Sequence, residues 1–249
     1  MDTRTDKARR DISPLLTIVI PVYNEGDNIR TAVTEIFSKV KHDFMIMIVY
    51  DFDGDNTLPV VRELQGTHSN IQLMRNKYGR GALNAIKTGL EEAGTKYVLV
   101  TMADLSDPPE VMNDMIDAAE RENASVVCAS RYMKGGHQIG GPVIKGLMSR
   151  TAGLTLCWFA GVPTHDATNS FKLYRKSFLD SVKIESTGGF ELGLELVVKA
   201  YRSGLKICEV PTTWRDRQAG KSRFKILAWL PSYLKWYFMA FRRKKNAAR

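Results

Sequence analysis

The chain has 249 residues, 44% hydrophobic and 25% charged, which excludes a disordered or fibrous protein and supplies the core of one large α/β domain, or of one domain plus an appendage. Its formal net charge of +9 suits phosphorylated substrates, anionic lipid headgroups or nucleic acid, and charge alone does not choose among them. Cys128, Cys157 and Cys208 are too widely spaced for a disulfide framework or a CxxC metal site, which excludes the small, stapled, secreted class.

Residues 1–14 read as a polar tail with no apolar core, so no signal peptide is expected. Residues 15–22, LLTIVIPV, are rich in β-branched side chains and read as a buried strand that stops at Tyr23-Asn24-Glu25-Gly26-Asp27. Ile29, Val33, Ile36, Phe37 and Val40 then recur at helical spacing, with Asp27 or Asn28 as the expected N-cap. A second strand, 44–50, runs into DFDGDNT at 51–57, after which Pro59 opens a short helix. A third strand at 71–74 precedes a Gly-flanked helix at about 80–93, and a fourth begins the stretch YVLVTMADLSDPP at 97–109. Repeated strand, polar loop and helix predict a mostly parallel sheet flanked by helices, which takes ligands beyond the carboxyl ends of its strands.

The polar clusters fall at those ends. Glu25, Asp51 and Asp53 are placed either to hydrogen-bond a ribose and a base or to serve as turn and cap residues. Gly79-Arg80-Gly81 reads more readily as close helix–sheet packing than as a phosphate loop. Asp104 and Asp107, braked by Pro108 and Pro109, offer hard oxygen ligands to a divalent cation, and equally well cap a helix. Gly220-Lys221-Ser222 is not a P-loop, because Arg215 stands where that motif needs its first glycine. The run ILAWLPSYLKWYFMAF at 226–241 is too short and interrupted to span a membrane. Its Trp229, Tyr233, Trp236 and Tyr237, followed by RRKK, predict an interfacial helix, with packing onto the domain or an oligomer contact as the competing reading.

Several motifs occur in order: IPVYNE at 20–25, DxDxDxT at 51–57, GRGAL at 79–83, ADLSDPP at 103–109, ASRYMKGG at 129–136, KGLMSR at 145–150, HDATNSFKLYRKSFL at 165–179 and RDRQAGKSRF at 215–224. Together they resemble the GT-A glycosyltransferases of family 2, within the dolichol-phosphate mannose synthase and polyprenyl-phosphate glycosyltransferase branch, over roughly residues 15–224.

The resemblance implies an inverting transfer of a sugar from a nucleotide-diphosphate sugar to a polyprenyl phosphate, assisted by Mg²⁺ or Mn²⁺. It assigns donor binding to Pro21, Tyr23, Glu25, Asp51, Asp53, Ala103, Asp104 and Lys221, and acceptor-phosphate binding to Arg131, Lys145 and Ser149. Asp104 takes the central metal position with Ser106 and Asp107 beside it, and Asp104, Arg131 and Arg215 are the implied catalytic set. The polar loop at 216–223 is expected to close over the donor.

Four positions depart from the family pattern: Met102 replaces an acid of the metal motif, Ser106 a frequent glutamine, Tyr50 an acid before Asp51, and Lys145 a frequent arginine. The implied setting is the cytoplasmic face of a membrane, with residues 225–249 as a membrane-associating segment and contact through 226–245. Nucleic acid is not an expected partner, and a homo-oligomer is compatible. Two alternatives stay open. One is a hydroxyl acceptor with Glu191 or Glu195 as general base, and the other is a non-catalytic nucleotide-sugar binding protein.

Overall fold

The computed structural model describes residues 14–216 and 226–242. The β-branched run becomes β1 (Leu16–Val22), all seven residues of which are buried. Its parallel neighbour β2 (Phe44–Tyr50) is in continuous register from Leu16 opposite Phe44 to Val22 opposite Tyr50. With β3 (Ile71–Arg75), β4 (Tyr97–Val100), β5 (Val126–Ser130), β7 (Lys172–Arg175) and β8 (Ile207–Pro211), they form a seven-stranded sheet of order β3-β2-β1-β4-β7-β5-β8 among the described residues. β7 alone runs against its neighbours β4 and β5. β6 (His137–Ile139) and β9 (Thr213–Arg215) make a separate parallel pair.

Alternation along β1 divides the core. Leu16, Ile18, Ile20 and Val22 pack with α1 (Gly26–Lys39), α2 (Thr57–Gln65) and α4 (Val111–Arg121), whereas Val19 packs on the opposite face with α3 (Ala82–Glu92) and α7 (Leu192–Arg202). Burial on both faces explains why these strands read as continuous apolar runs. The chain leaves β1 toward β2 on one side, whereas β4 lies on the other, so the crevice for a ligand falls between the ends of β1 and β4.

Two expectations are corrected. α1 begins at Gly26, with Glu25 at the N-cap, instead of at Asp27 or Asn28. The Asn24, Glu25 and Gly26 N–H groups are taken by Asp55, Thr57 and Asn56, so the chain turns earlier and Asn28 bonds back to Glu25. Of the four aromatics expected at an interface on α8 (Ile226–Ala240), one is corrected. Trp236 is buried against α7, Tyr233 and Tyr237 are half-buried, and the Trp229 side chain lies outside the described residues. No helix among the described residues is long and apolar enough to cross a membrane.

α5 (Val143–Thr155) is pressed against the chain that enters β7, and a Cβ at buried Gly153 would clash with the His165 carbonyl oxygen. Gly153→Ala is therefore expected to cost about 1–3 kcal/mol in urea unfolding. An unchanged midpoint would mean that α5 is free to shift.

Candidate active site

The loops at the carboxyl ends of β1, β2 and β4 are built largely from side chain to backbone hydrogen bonds. Asn24 sits at φ 56°, and its N–H donates to both oxygens of Asp55 at 3.1 Å. Buried Asp55 also accepts from the Thr57 N–H at 2.8 Å, while Thr57 Oγ1 accepts from the Glu25 N–H at 2.9 Å. The turn after β1 is thereby fastened to the turn after β2. Asp55 holds that join together, and sequence reasoning passed it over. Its signal was an acid two residues before a helix-opening threonine.

Asp51 accepts from Asn76 Nδ2 at 2.8 Å and from the Gly81 N–H at 2.9 Å. The Gly81 amide is thus committed to protein, and the expected close helix–sheet packing at the glycine step is corrected: Gly79 and Gly81 are exposed with open space where a Cβ would stand, and their φ of 85° and 128° is what requires glycine. Asp53 is exposed and pairs with Arg75 at 3.3 Å, and it does not line the cleft. Tyr23 packs on Phe52 with ring centroids 5.6 Å apart, and the Arg80 guanidinium lies 5.0 Å from the Phe52 ring.

Beyond β4, the Ser106 N–H donates to Asp104 Oδ1 at 3.1 Å, and Leu105 between them is left-handed at φ 53°. The Ser106 carbonyl accepts from the Arg215 N–H at 2.9 Å, which ties β9 to this turn. Strand alternation then turns Trp214 into the cleft and leaves the Arg215 side chain exposed outside its lining, contrary to the position expected of a catalytic cation. Asp104, Ser106 and Asp107 all line the cleft, and so does Met102, packed against the α3 side of the core. Among the described residues no three His, Cys, Asp or Glu side chains are grouped to hold a metal. Two carboxylates and a hydroxyl still suit a hard cation that completes its shell with substrate oxygens and water, whereas a thioether does not.

Burial pushes the Asp107 carboxyl up to about 7 from its ordinary 3.8, against the pull of nearby Arg131 and of Asn169, whose Nδ2 is 3.4 Å away. Its pKa is raised on folding, so its contribution to stability is full below about 3.8 and is lost as pH rises through about 7. A cation binding this carboxylate must displace the proton. Below about 7 the apparent Mn²⁺ affinity is therefore expected to fall up to about tenfold per pH unit, and Asp107→Asn should flatten that slope in a calorimetric titration. Equal slopes in both proteins would remove Asp107 from the ligand set.

The end of β5 places Arg131 over a different cluster. Its Nε donates to Asp166 at 2.6 Å, and one terminal nitrogen donates to Asp166 at 2.9 Å and to Ser149 Oγ at 2.9 Å. Its side chain is 12% exposed and that of Asp166 is fully buried. Burial opposes the charge of each, but the pairing prevails, holding the Asp166 pKa down and the Arg131 pKa up. Arg131 therefore reaches the cleft with its charge already balanced, which a sequence reading of it as a free phosphate-steering cation misses. Ser149 Oγ also lies 2.5 Å from Thr168 Oγ1 and 3.1 Å from the Tyr132 hydroxyl, and Lys145 lines the cleft one turn before it. Buried Lys172, on β7, donates to the Asn169 carbonyl, and burial lowers its pKa. It passed unnoticed within the predicted motif because nothing in FKLYR shows that its ammonium faces inward.

The remaining candidates lie elsewhere. Glu195 accepts from the Glu185 and Ser186 N–H groups at 2.7 and 2.8 Å and pairs with Lys199, so it fastens a loop to α7. Glu191 accepts from the Gly188 N–H at 2.7 Å, and neither glutamate lines the cleft. His165 Nδ1 is 2.6 Å from Glu209, and His137 is exposed on β6. Lys221 and the 216–223 loop, Asp216 apart, lie outside the described residues. Pro21, Tyr23, Glu25, Asp51, Ala103, Asp104, Arg131, Lys145 and Ser149 are brought together in one cleft of about 1670 Å³. Its lining also includes the apolar side chains of Leu147 on α5 and of Leu230 and Leu234 on α8.

The sequence model described as Glycosyl transferase family 2 matches residues 17–182. A dolichol-phosphate mannosyltransferase of Pyrococcus furiosus is 28% identical over 219 residues, covering 84% of this chain and 59% of that one. The chain thus spans less than two thirds of that relative. A polyprenol monophosphomannose synthase of Mycolicibacterium smegmatis is 29% identical over 233 residues, covering 85% of each. Among solved structures, glucosyl-3-phosphoglycerate synthase of Mycobacterium tuberculosis, in complex with Mn²⁺, UDP and glucosyl-3-phosphoglycerate, superposes with TM-score 0.65 at 14% identity, covering 94% of this chain and 82% of that one. S. aureus TarS 1-349 in complex with UDP gives TM-score 0.60 at 16% identity, covering 90% of this chain and 64% of that one. At such identities the likeness concerns the fold alone.

Proposed function

The chain belongs to glycosyl transferase family 2, and from that premise we propose that it moves a hexose from a nucleotide-diphosphate sugar to the phosphate of a polyprenyl phosphate at a membrane surface. The observation that carries this reading is the single cleft at the strand ends. It holds the carboxylates of Asp51, Asp104 and Asp107, the Arg131, Lys145 and Ser149 corner, and the apolar side chains of Leu147, Leu230 and Leu234. A donor diphosphate, an acceptor phosphate and a lipid chain each meet matching chemistry there. The two curated relatives are named for dolichol phosphate and polyprenol substrates, and a structural neighbour holds Mn²⁺ with UDP.

In this reading an acceptor phosphate oxygen attacks the anomeric carbon as the bond to the nucleoside diphosphate breaks, inverting that centre. A phosphate monoester, with a second pKa of about 6, is already ionised near neutral pH and needs little help from a base. That suits a cleft which Glu191 and Glu195 do not line. Asp104, with Ser106 and Asp107, would hold a Mg²⁺ or Mn²⁺ ion, whose charge offsets that of the departing diphosphate. Ser149, oriented by Arg131 and Thr168, offers its hydroxyl to the acceptor phosphate, and Lys145 adds positive charge. Arg131 positions Ser149 and keeps the Asp166 charge compensated.

The test is a screen of labelled GDP- and UDP-sugars against short polyprenyl phosphates, with Mg²⁺, with Mn²⁺ and with EDTA. Transfer to the phosphate that EDTA abolishes is the expected result. Donor binding with no transfer to any acceptor would replace this reading with a non-catalytic one, and transfer only to hydroxyl acceptors would redirect it.

A further inference from the structure

Exposed apolar side chains are concentrated beside the cleft mouth. α5 carries Val143, Ile144 and Leu147 at 84%, 69% and 65% exposure, and the π-helical turn that continues it, Leu156–Ala160, carries Trp158 and Phe159 at 66% and 75%. Phe238 of α8 is also exposed. These elements are joined: α8 touches the π-helical turn, and the Tyr237 hydroxyl donates to Thr155 Oγ1 at 2.9 Å. The turn is anchored as well, because buried Leu156 holds one end and the Tyr201 hydroxyl donates to the Ala160 carbonyl at the other. A π-turn widens the helix locally, and here its two aromatic side chains are exposed to solvent from a fixed base.

Charge identifies the occupant. Residues 143–160 and 226–249 contain no Asp or Glu, and Arg150 and Arg242 are exposed there. Exposed apolar and aromatic side chains with arginines beside them, on segments that carry no acid of their own, match the boundary of an anionic bilayer, where the rings enter the headgroup region and the cations meet phosphates. Leu147 belongs both to this face and to the cleft wall, so a bilayer seated here lies at the cleft mouth.

We propose that the face formed by α5, the π-helical turn and the outer side of α8 docks on an anionic membrane, with Trp158 and Phe159 as the inserting pair. The inference deepens the proposed acceptor assignment and rests on it for its purpose. It also moves the inserting aromatics from α8, where Trp236 is buried, to the preceding turn.

The full chain is to be sedimented with vesicles of phosphatidylcholine, and of phosphatidylcholine with an equal share of phosphatidylglycerol. Binding to the anionic vesicles is expected, and the double variant Trp158→Ser/Phe159→Ser should lower it by about tenfold or more with an unchanged urea midpoint. Brominated lipid should quench the tryptophan fluorescence of the native chain, and Trp158→Phe should bind while losing most of that quenching. No vesicle binding by the native chain, equal binding by the double variant, or quenching that survives Trp158→Phe would each overturn the assignment. So would a dimer that dissolves in the double variant while vesicles stay unbound. Binding without transfer to any polyprenyl phosphate keeps this surface and removes the proposed acceptor. Transfer to short acceptors without vesicle binding does the reverse.

Discussion

Asp104→Ala is expected to lower metal-dependent sugar transfer by about 10²–10³-fold while costing only about 0.5–1.5 kcal/mol in urea unfolding, the worth of one lost hydrogen bond. Asp104 lines the cleft at the end of the central sheet, where its Oδ1 accepts the Ser106 N–H and so shapes the turn as well as bearing charge. Asp104→Asn separates those two duties, because an amide oxygen still accepts that N–H without the negative charge. Nearly equal losses in Ala and Asn would assign the effect to charge. Full activity in Asn would make Asp104 a turn residue and remove the central element of the proposed metal site.

The second large effect is on stability. Asp166→Ala should cost about 3–5 kcal/mol in urea unfolding, because it leaves the Arg131 guanidinium buried without its counter-charge. It also frees the group that orients Ser149, so transfer should fall further than the unfolded fraction explains. The double variant Arg131→Met/Asp166→Leu removes both charges and should regain much of the lost stability, though not the activity. If it proves as unstable as Asp166→Ala, the pair stabilises by more than charge compensation.

What the sequence disclosed followed from the range of the interactions concerned. β2 falls on its predicted residues, 44–50, because burial on both faces leaves an apolar run bounded by polar turns. The convergence of Glu25, Asp51 and Asp104 was legible for a related reason, since parallel strands put the same end of every repeat on one edge. Partners distant in sequence were not legible. Arg131 reads as a free cation until Asp166 is seen beneath it, and the Asn76 and Gly81 groups that orient the Asp51 carboxylate lie 25 and 30 residues away. Arg215 was misjudged because three residues are too few to announce a strand, and the period of two then sends its side chain away from the cleft. On α8, composition pointed to an interface, but Trp236 is turned into the core, where Lys199 and Lys235 lie over its ring.

The antiparallel strand β7 bears on the order of assembly. β4 pairs with β1 on one edge, and its other edge stays open until Lys172–Arg175 arrive from much later in the chain. A polypeptide emerging N-terminus first therefore exposes a fully apolar strand edge, YVLV, while the segment between is still being made. Since β5 reaches the main sheet only through β7, that late strand also closes the gap between the Asp104 turn and the Arg131 corner. Until it docks, the carboxylates and the acceptor corner belong to separate halves of a nascent protein.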